Sequence, residues 1–493
     1  MTNPRRKGSL PCQPPLGAFG QPIRSSGGCA WCLVHTGSVE QVDAGTGVAW
    51  FRRDLRLDDN PVWAAATATH DRVVALFVLE PRLLKASGQI RRDQLLGHLH
   101  ALDEALEDLG GGLVVRSGPA SVAVPAVVAE TEAAAVYCNA DASSFSQQRD
   151  AAVAGALTVP IHAYHGQTVH EPGAVLTKKG SLSQVFTPFF KAWTATPLRP
   201  WPTLGPGRPI AVASESIPTP DRPLRHAAGE AGAWQRATSW LERVDDYPST
   251  RDLPGVAGTS DLSADLKFGT IAARTLLDVV GTETEGRAAF VRQLAWRDWW
   301  AHTLAQRPDL PDVALKARYD DIAWRNDPDG FERWCQGQTG FPIVDAGMRQ
   351  LAATGWMHNR VRMICASFLV KDLLVDWRKG ERFFRHHLVD GDVAQNAGNW
   401  QWVAGTGPDA APYFRVFNPN SQAIKFDASG DYVRRWVPEL AGLAAPVIHE
   451  PHLADPDQLA AAGIVLDQTY PRPIVDHAEA RKRVLDAYKA ALE

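Results

Sequence analysis

Hydroxyl side chains crowd one stretch in the middle of the chain, between Tyr247 and Ser263. Thr259 and Ser260 directly follow Gly258 there, just before a predicted helix. Small hydroxyl groups and free backbone N–H groups at the start of a helix suit a phosphate group. A Thr-Ser pair is also an ordinary helix cap. The stretch therefore predicts either an anion site or a simple cap.

A second set of groups falls on one face of a predicted helix. Four residues spaced i, i+3, i+4 and i+7 share that face: Gln293, Trp296, Arg297 and Trp300. A flat indole, a guanidinium and an amide together can hold a nucleic-acid base. Tryptophan at helical spacing also packs cores, and the chain contains 17 tryptophans. Base binding and core packing both stay open at this point.

Charged residues of both signs gather later in the chain. Asp390 and Asp392 follow a segment that includes Arg362. Two carboxylates near arginines can form a metal site, an acid–base pair or a buried ion pair. The adjacent His386 and His387 cannot share one helix face, and no cysteine cluster accompanies them. We therefore expect no metal.

The composition sets limits on the class of protein. Hydrophobic residues make up 45% and charged residues 22% of the 493 positions, which is typical of a globular protein. The longest apolar run, 73–79, is too short to cross a bilayer. A net charge of −4 does not exclude nucleic acid, because the relevant field is local. We expect a monomer without a membrane partner.

Neither the cysteines nor the N-terminal residues of the chain indicate a catalytic or metal-binding site. Six cysteines form no disulfide framework, which favours a reducing, cytoplasmic compartment. Cys29 and Cys32 have the spacing of half a zinc site, but the second pair is missing. Residues 1–46 are rich in Gly, Pro, Ser and Cys without periodicity, so we predict a disordered N-terminal extension.

The pattern from residue 48 predicts a parallel, doubly wound α/β domain, because short apolar strands alternate with helices. Strands are predicted at 48–51, 73–79, 113–115 and 135–138, and helices at 62–68, 91–109, 122–130 and after 146. A Gly-rich turn should follow the first strand of a dinucleotide-binding fold, but residues 52–56 contain no glycine. If a flavin or a nucleotide binds, we expect it to bind elsewhere.

The sequence pattern of the second half of the chain predicts helices only. A proline-rich connector at 197–223 precedes it, and helices are predicted at 288–305, 342–354 and 359–377. We accordingly divide the chain into an extension (1–46), an α/β domain (47–175), a connector (176–233) and an all-α domain (234–493).

Several segments together resemble the photolyase/cryptochrome family. They are 48–60, 247–263, 341–345, 356–363, 390–402 and 411–419. The resemblance covers about residues 47 to 490, with the motifs in the same order, and so many motifs make it highly specific. It implies an N-terminal α/β antenna domain and a C-terminal helical domain that holds FAD.

The resemblance assigns a set of FAD contacts. They are Tyr247, Thr259, Ser260, Leu262, Ser263, Trp296, Arg297, Arg362, Asp390, Asp392 and Asn396. Arg362 and Asp390 would pair beside the isoalloxazine ring, and Asn396 would face its N5 atom. A neutral amide cannot readily protonate N5, so Asn396 would help to keep the fully reduced anion, which is the electron donor that repair requires. Trp400, Trp377 and Trp324 match the tryptophan chain that photoreduces the flavin.

The lesion pocket follows from the same resemblance. Trp296 and Trp402 would form its apolar walls, and a pyrimidine dimer flipped out of the duplex would stack on them. Asn359, Arg360 and Met363 would lie beside the dimer. DNA phosphates would contact Arg251, Arg360 and Arg415.

Two positions bear on which lesion is repaired. The (6-4) branch of the family carries two histidines where this chain has Asn359 and Met363, which favours cyclobutane pyrimidine dimers. Cyclobutane enzymes commonly have Glu where this chain has Gln293, and an amide supplies no proton to the dimer carbonyl. The missing histidines weigh more, because they carry the chemistry of the (6-4) branch.

An antenna pigment is also implied. Deazaflavin-using members carry an acid at the position of Asp141 and an arginine that Arg91 could supply. Folate-using members carry Glu where Ser146 stands. We expect an 8-hydroxy-deazaflavin, with methenyltetrahydrofolate or an empty site as alternatives.

The predicted function is light-driven splitting of cyclobutane dimers in UV-damaged DNA. A cryptochrome-type light sensor is the rival, although the chain ends in a short terminal helix and retains Asn396. A (6-4) repair enzyme is the third alternative, and only Gln293 supports it.

Overall fold

The computed structural model describes residues 45–409 and 414–493. The extension predicted at 1–46 therefore lies outside the described residues, except for its last two positions. Part of the family segment 411–419 is also outside them.

A six-stranded parallel sheet forms the first part of the described chain. Its strands are β1 (Thr46–Phe51), β2 (Arg72–Leu79), β3 (Leu113–Ser117), β4 (Ala135–Asn139), β5 (Ile161–Tyr164) and β6 (Arg208–Pro209). The order is β3-β2-β1-β4-β5, with β6 beside the first two residues of β2. The winding reverses between β1 and β4, so the loops after these strands diverge and open a crevice.

Five helices cover the two faces of the sheet: α1 (Pro61–Thr69), α2 (Pro81–Ala86), α3 (Gln89–Glu107), α4 (Ala120–Thr131) and α5 (Ser144–Ala156). Successive side chains of a strand point to opposite faces. Val48 and Trp50 accordingly enter one core, and Ala49 and Phe51 enter the other. Asn60 caps α1 by accepting the N–H of Val62, as its position before Pro61 predicts.

The remaining helices are α6 (Phe186–Ala195), α7 (Gly229–Leu241), α8 (Tyr247–Thr250), α9 (Ser263–Phe268), α10 (Ala273–Val280), α11 (Glu285–Gln306), α12 (Pro328–Gln336), α13 (Pro342–Thr354), α14 (Asn359–Ser367), α15 (Trp377–His387), α16 (Val393–Ala404), α17 (Pro419–Phe426), α18 (Asp431–Trp436), α19 (Pro456–Ala461) and α20 (His477–Ala490). The predicted fold class, a parallel α/β sheet followed by an all-α part, is confirmed.

One predicted helix is wrong. The pattern over 359–377 indicated a single helix, but α14 ends at Ser367 and a π-helical turn follows at Phe368–Asp372. Leu374 has a positive φ of 54°, a conformation that a right-handed helix cannot contain. Asp376 then accepts the N–H of Arg378 and starts α15. Trp377 therefore stands at a helix start rather than at a helix end.

Several elements were missed in the sequence, including the helix α6, which lies inside the segment 176–233 that was assigned to the connector. The short helix α2 follows Pro81, and the edge strand β5 has four residues with partly exposed side chains. The strand β6 has only two residues and includes a proline, so no alternation of apolar side chains marks it.

Candidate functional site

Arg362 and Asp390 form an ion pair, with 2.9 Å between Nη2 and Oδ2. Helix α14 carries Arg362, whose Nε also donates to the Met357 carbonyl at 2.7 Å. Asp390 lies in the turn between α15 and α16 and is 8% exposed. Its Oδ1 atom is buried without a hydrogen-bond partner among the described residues. A buried acceptor without a partner suits a ligand N–H group.

The orientation of Asn396 on α16 follows from a glutamate on α15. Asn396 Nδ2 donates to the Glu381 backbone carbonyl at 2.8 Å and to its Oε1 atom at 2.9 Å. Glu381 is fully buried, and burial raises the pKa of its carboxyl group. Because both hydrogen bonds use the amide nitrogen, the carbonyl oxygen of Asn396 is left as an acceptor.

The hydroxyl-rich stretch packs between α8 and α9. Tyr247 begins α8, and its ring meets the edge of Phe290 at a centroid distance of 5.9 Å. Thr259 and Ser260 are half-buried, and Leu262 is buried in the N-cap position of α9. Ser263 is the exposed first residue of that helix. No side chain caps α9, so its first N–H groups have no side-chain acceptor.

Arg297 and Asp392 make contacts within the protein. Arg297 Nη1 donates to the Gln167 carbonyl at 2.6 Å, and Nη2 donates to the Leu266 carbonyl at 3.1 Å. Asp392 caps α16 and pairs with Arg53. These contacts hold the helical part against the sheet, and a cofactor-binding role for either residue stays a prediction.

The three tryptophans of the predicted chain share one core. Trp400 and Trp377 are buried, and the partly buried Trp324 packs against the same cluster. Gly380 lets α15 approach Trp400 closely, because a Cβ atom at Gly380 would overlap its ring. The indole N–H groups of Trp377 and Trp324 have no partner among the described residues.

The predicted lesion-pocket residues come from α11, α14 and α16. Trp296 and Trp402 are partly buried against one core, and Trp296 stacks on Phe186 with 3.7 Å between ring centroids. Asn359 Nδ2 lies 3.9 Å from Met363 Sδ, one helical turn away. Gln293 donates to the Ala289 carbonyl at 3.3 Å.

The three arginines that are predicted to contact DNA phosphates differ in how far other residues of the protein already engage them. Arg360 pairs with Asp252 at 2.9 Å, which offsets part of its charge. Arg251 lies over the Tyr247 ring at 5.7 Å. Arg415 is exposed and lies two positions after residue 413, the last residue of a segment that the structure does not describe.

The two predicted antenna residues line one cleft of about 650 Å³ at the carboxyl ends of β1, β2 and β4. A cleft of this size suits a drug-sized molecule. Asp141 is paired with Arg53 at 2.9 Å. Arg91 donates to the carbonyl groups of Gly391, Arg385 and His386. Both side chains are therefore already engaged with the protein.

Sequence reasoning missed Arg53 and Glu381. Arg53 stands where a Gly-rich turn would follow the first strand of a dinucleotide-binding fold. A charged residue at this position was the feature of the sequence that could have marked it as functional. No local signal marks Glu381, because its partner Asn396 is on the next helix. Among the described residues, no cluster of His, Cys, Asp or Glu could hold a metal ion, and no helix is long and apolar enough to cross a membrane.

Comparisons with known proteins agree with this geometry. Residues 47–207 match the DNA photolyase family model, and residues 290–490 match the FAD binding domain of DNA photolyase. A deoxyribodipyrimidine photo-lyase of Agrobacterium fabrum is 40% identical over 90% of this chain and 97% of its own.

Solved structures of similar proteins cover nearly the whole chain. A class III photolyase from Agrobacterium tumefaciens has a TM-score of 0.83 at 38% identity, over 93% of this chain and 99% of its own. A Synechocystis cryptochrome has the same TM-score at 28% identity, over 91% of this chain and 100% of its own.

A parallel α/β sheet domain followed by a helical domain that matches an FAD-binding model defines a class of flavoproteins. The chain belongs to the photolyase/cryptochrome family. The expectation of an enzyme of the deoxyribodipyrimidine photo-lyase class is also confirmed by the curated relatives.

Proposed function

We propose that the protein repairs cyclobutane pyrimidine dimers in UV-damaged DNA under blue light. When bound, reduced FAD supplies an electron that splits the cyclobutane ring and then receives it back, so the reaction has no net redox change. The unpartnered Asp390 Oδ1 and the carbonyl oxygen of Asn396 are acceptors that fit this cofactor.

The observation that carries the choice of lesion is the pair Asn359 and Met363. Neither side chain can transfer a proton as the histidines of the (6-4) branch do. The neighbouring His358 does not replace them. Its Nδ1 caps α14 by accepting the N–H of Arg360, and burial lowers its pKa to about 4. His358 is therefore neutral at pH 7 and donates no proton there.

The chain's own residues perform four tasks in this proposal. Asn396, held by Glu381, presents a neutral acceptor to the flavin, and the Arg362–Asp390 pair lies beside the ring. The tryptophans Trp400, Trp377 and Trp324 carry electrons from the surface to the flavin. Trp296 and Trp402 stack on the flipped-out dimer, while Arg251, Arg360 and Arg415 take phosphates.

We further propose the division into an antenna domain (47–175), a connector (176–233) and a catalytic domain (234–493), acting as a cytoplasmic monomer. An antenna pigment, a deazaflavin in preference to a folate, occupies the cleft at Arg91 and Asp141. Its position at the carboxyl ends of parallel strands supports a ligand site there.

Repair of a defined lesion tests the proposal. The reduced protein is illuminated with single-stranded DNA that contains one thymine cyclobutane dimer, and a (6-4) substrate is run in parallel. Dimer loss only in light is the expected result. No repair of either lesion with FAD bound would favour the cryptochrome alternative. Repair of the (6-4) lesion alone would overturn the assignment of Asn359 and Met363.

A further inference from the structure

Asp261 gives the hydroxyl-rich stretch a backbone conformation that few residues adopt. It stands between Ser260 and Leu262, two of the predicted FAD contacts, and its φ is 55°. Residues other than glycine are uncommon in this left-handed region, and aspartate is among those that tolerate it best. The direction of the chain through the stretch therefore depends on what holds Asp261 in place.

Two residues of the connector hold the Asp261 carboxylate. Arg225 Nη2 donates to Oδ1 at 2.9 Å and to Oδ2 at 2.8 Å, and His226 Nε2 lies 3.1 Å from Oδ2. Burial raises the pKa of Asp261, but the contacts with His226 and Arg225 outweigh burial and leave that pKa below its usual range. The carboxylate is therefore ionised at pH 7, and its hydrogen bonds with Arg225 are charge-assisted.

An aromatic ring holds the Arg225 guanidinium in turn. The guanidinium lies 4.9 Å from the centroid of the Trp356 ring, in the turn between α13 and α14. Trp356 meets the edge of the His358 ring at a centroid distance of 6.3 Å and an angle of 89°, and His358 caps α14. Stacking restricts the freedom of a long side chain, so Arg225 loses less freedom when it pairs with Asp261.

Helix α3 of the α/β part fixes the connector at this point. The buried Gln94 side chain accepts the N–H of His226 and donates to the His226 carbonyl oxygen, both at 3.2 Å. Leu224 packs closely over Gly97, because a Cβ atom at that glycine would lie 2.4 Å from the Leu224 Cδ1 atom. A continuous series of contacts therefore runs from α3 through the connector to Asp261.

We propose that Arg225 is a positioning residue of the FAD site. By holding Asp261, it keeps the hydroxyl groups of the stretch in the arrangement that binds the FAD phosphates, and it does not touch the cofactor itself. His226 assists by contacting the same carboxylate. This inference rests on the proposed binding of FAD at the hydroxyl-rich stretch and adds the residue that orders this stretch.

The rate at which FAD leaves the holoprotein tests this role. Arg225→Gln removes the charge and retains a side chain that can donate a hydrogen bond. Release of FAD in the dark, followed by flavin fluorescence, should become roughly tenfold faster in this variant. Arg225→Lys should retain FAD better than Arg225→Gln, because lysine keeps the charge but lacks the planar fork of arginine.

Arg349→Gln is the matched control. Arg349 pairs with Glu439 at 2.7 Å, and these two side chains are partly exposed, as Arg225 and Asp261 are. The other partner of Arg349 is the Gly337 carbonyl, and neither partner is a proposed FAD contact. This variant should lower the thermal midpoint as Arg225→Gln does, but leave the rate of FAD release within about twofold of the wild-type rate.

A reversal of the two charges separates positioning from general destabilisation. Arg225→Glu and Asp261→Arg should each accelerate FAD release, because each places two like charges in contact. The double variant restores a pair of opposite charges. It should therefore release FAD more slowly than either single variant, which independent structural damage at the two positions would not produce.

Three results would overturn the inference. They are unchanged FAD release in Arg225→Gln, an equal acceleration in Arg349→Gln, and no recovery in the double variant. Dimer repair by the wild-type holoprotein tests the proposed function separately. Wild-type protein that holds FAD but repairs no dimer would sink the proposed function and leave the release result standing. Normal repair together with unchanged release in Arg225→Gln would sink the inference alone.

Discussion

Arg53 and Asp392 form an ion pair across 339 positions of the chain. Arg53 follows β1 directly, and its other terminal nitrogen pairs with Asp141 after β4 at 2.9 Å. Asp392 caps α16, the helix that carries Asn396 and Trp400. One guanidinium therefore joins the carboxyl end of the sheet to the helix that presents the proposed flavin contact.

Arg53→Gln should destabilise the protein strongly, because it leaves two buried carboxylates without their cation. Removing one partner of a buried pair costs about 3–5 kcal/mol. Arg116→Gln is the matched control, because its partner Glu130 is half exposed and such pairs contribute about 0–1 kcal/mol. Urea unfolding at pH 7 measures both changes. Equal costs for the two variants would contradict the prediction.

The cost of Arg53→Gln should decrease as the pH falls from 7 towards 4. Burial raises the pKa of Asp141 and Asp392, but the charge of Arg53 outweighs it and leaves both pKa values below the usual range. Their stabilisation is thus present above the unfolded pKa of about 4 and is lost below it. In the variant both pKa values rise and protonation relieves the cost. Unfolding measured at pH 7, 5.5 and 4.5 gives the trend, and a constant difference would refute it.

Gly380→Ala should displace the ring of Trp400. A methyl group at this position overlaps that ring, and overpacking of a core costs about 1–3 kcal/mol. Gly155→Ala on α5 is the control, since its Cβ atom meets open space and alanine favours helix by up to about 1 kcal/mol. The thermal midpoints should move in opposite directions. An unchanged thermal midpoint in Gly380→Ala would show that the Trp400 ring has room to shift.

Trp377→Phe should abolish photoreduction of the bound flavin and leave repair by chemically reduced protein intact. A phenyl ring is much harder to oxidise than an indole. Trp334→Phe is the control, because Trp334 is also fully buried and lies 6.3 Å from Trp400 but is outside the proposed chain. Flavin absorbance under blue light follows both variants. Photoreduction that survives in Trp377→Phe would remove this residue from the path.

Gln293→Glu should accelerate dimer repair. A carboxyl group at this position can supply the proton that an amide lacks, and one improved hydrogen bond is worth about 1 kcal/mol, or roughly fivefold in rate. Gln147→Glu, an exposed change on α5, controls for the added charge. Single-turnover flashes on a thymine dimer measure the rate. An unchanged or slower rate would mean that this side chain does not contact the lesion.

The helical break before Trp377 shows where local pattern stops being sufficient. The apolar spacing over 359–377 satisfies one helix throughout, and only the positive φ of Leu374 and the cap at Asp376 reveal two. The positive φ of Leu374 has no signature in the sequence. The cap joins Asp376 to Arg378 two positions on, so it was a local signal that the apolar spacing outweighed.

The sequence by itself determined four of the six strands of the sheet, the cap at Asn60 and the family motifs, because each depends on residues a few positions apart. Only the tertiary structure decided that Arg53 joins Asp141 to Asp392, that Glu381 orients Asn396, and that cations from α2, α9 and α15 line one cleft. These contacts join residues on separate elements. Ion pairs and hydrogen bonds between residues that are distant in sequence leave no periodic pattern along the chain. They are therefore visible only in the folded structure.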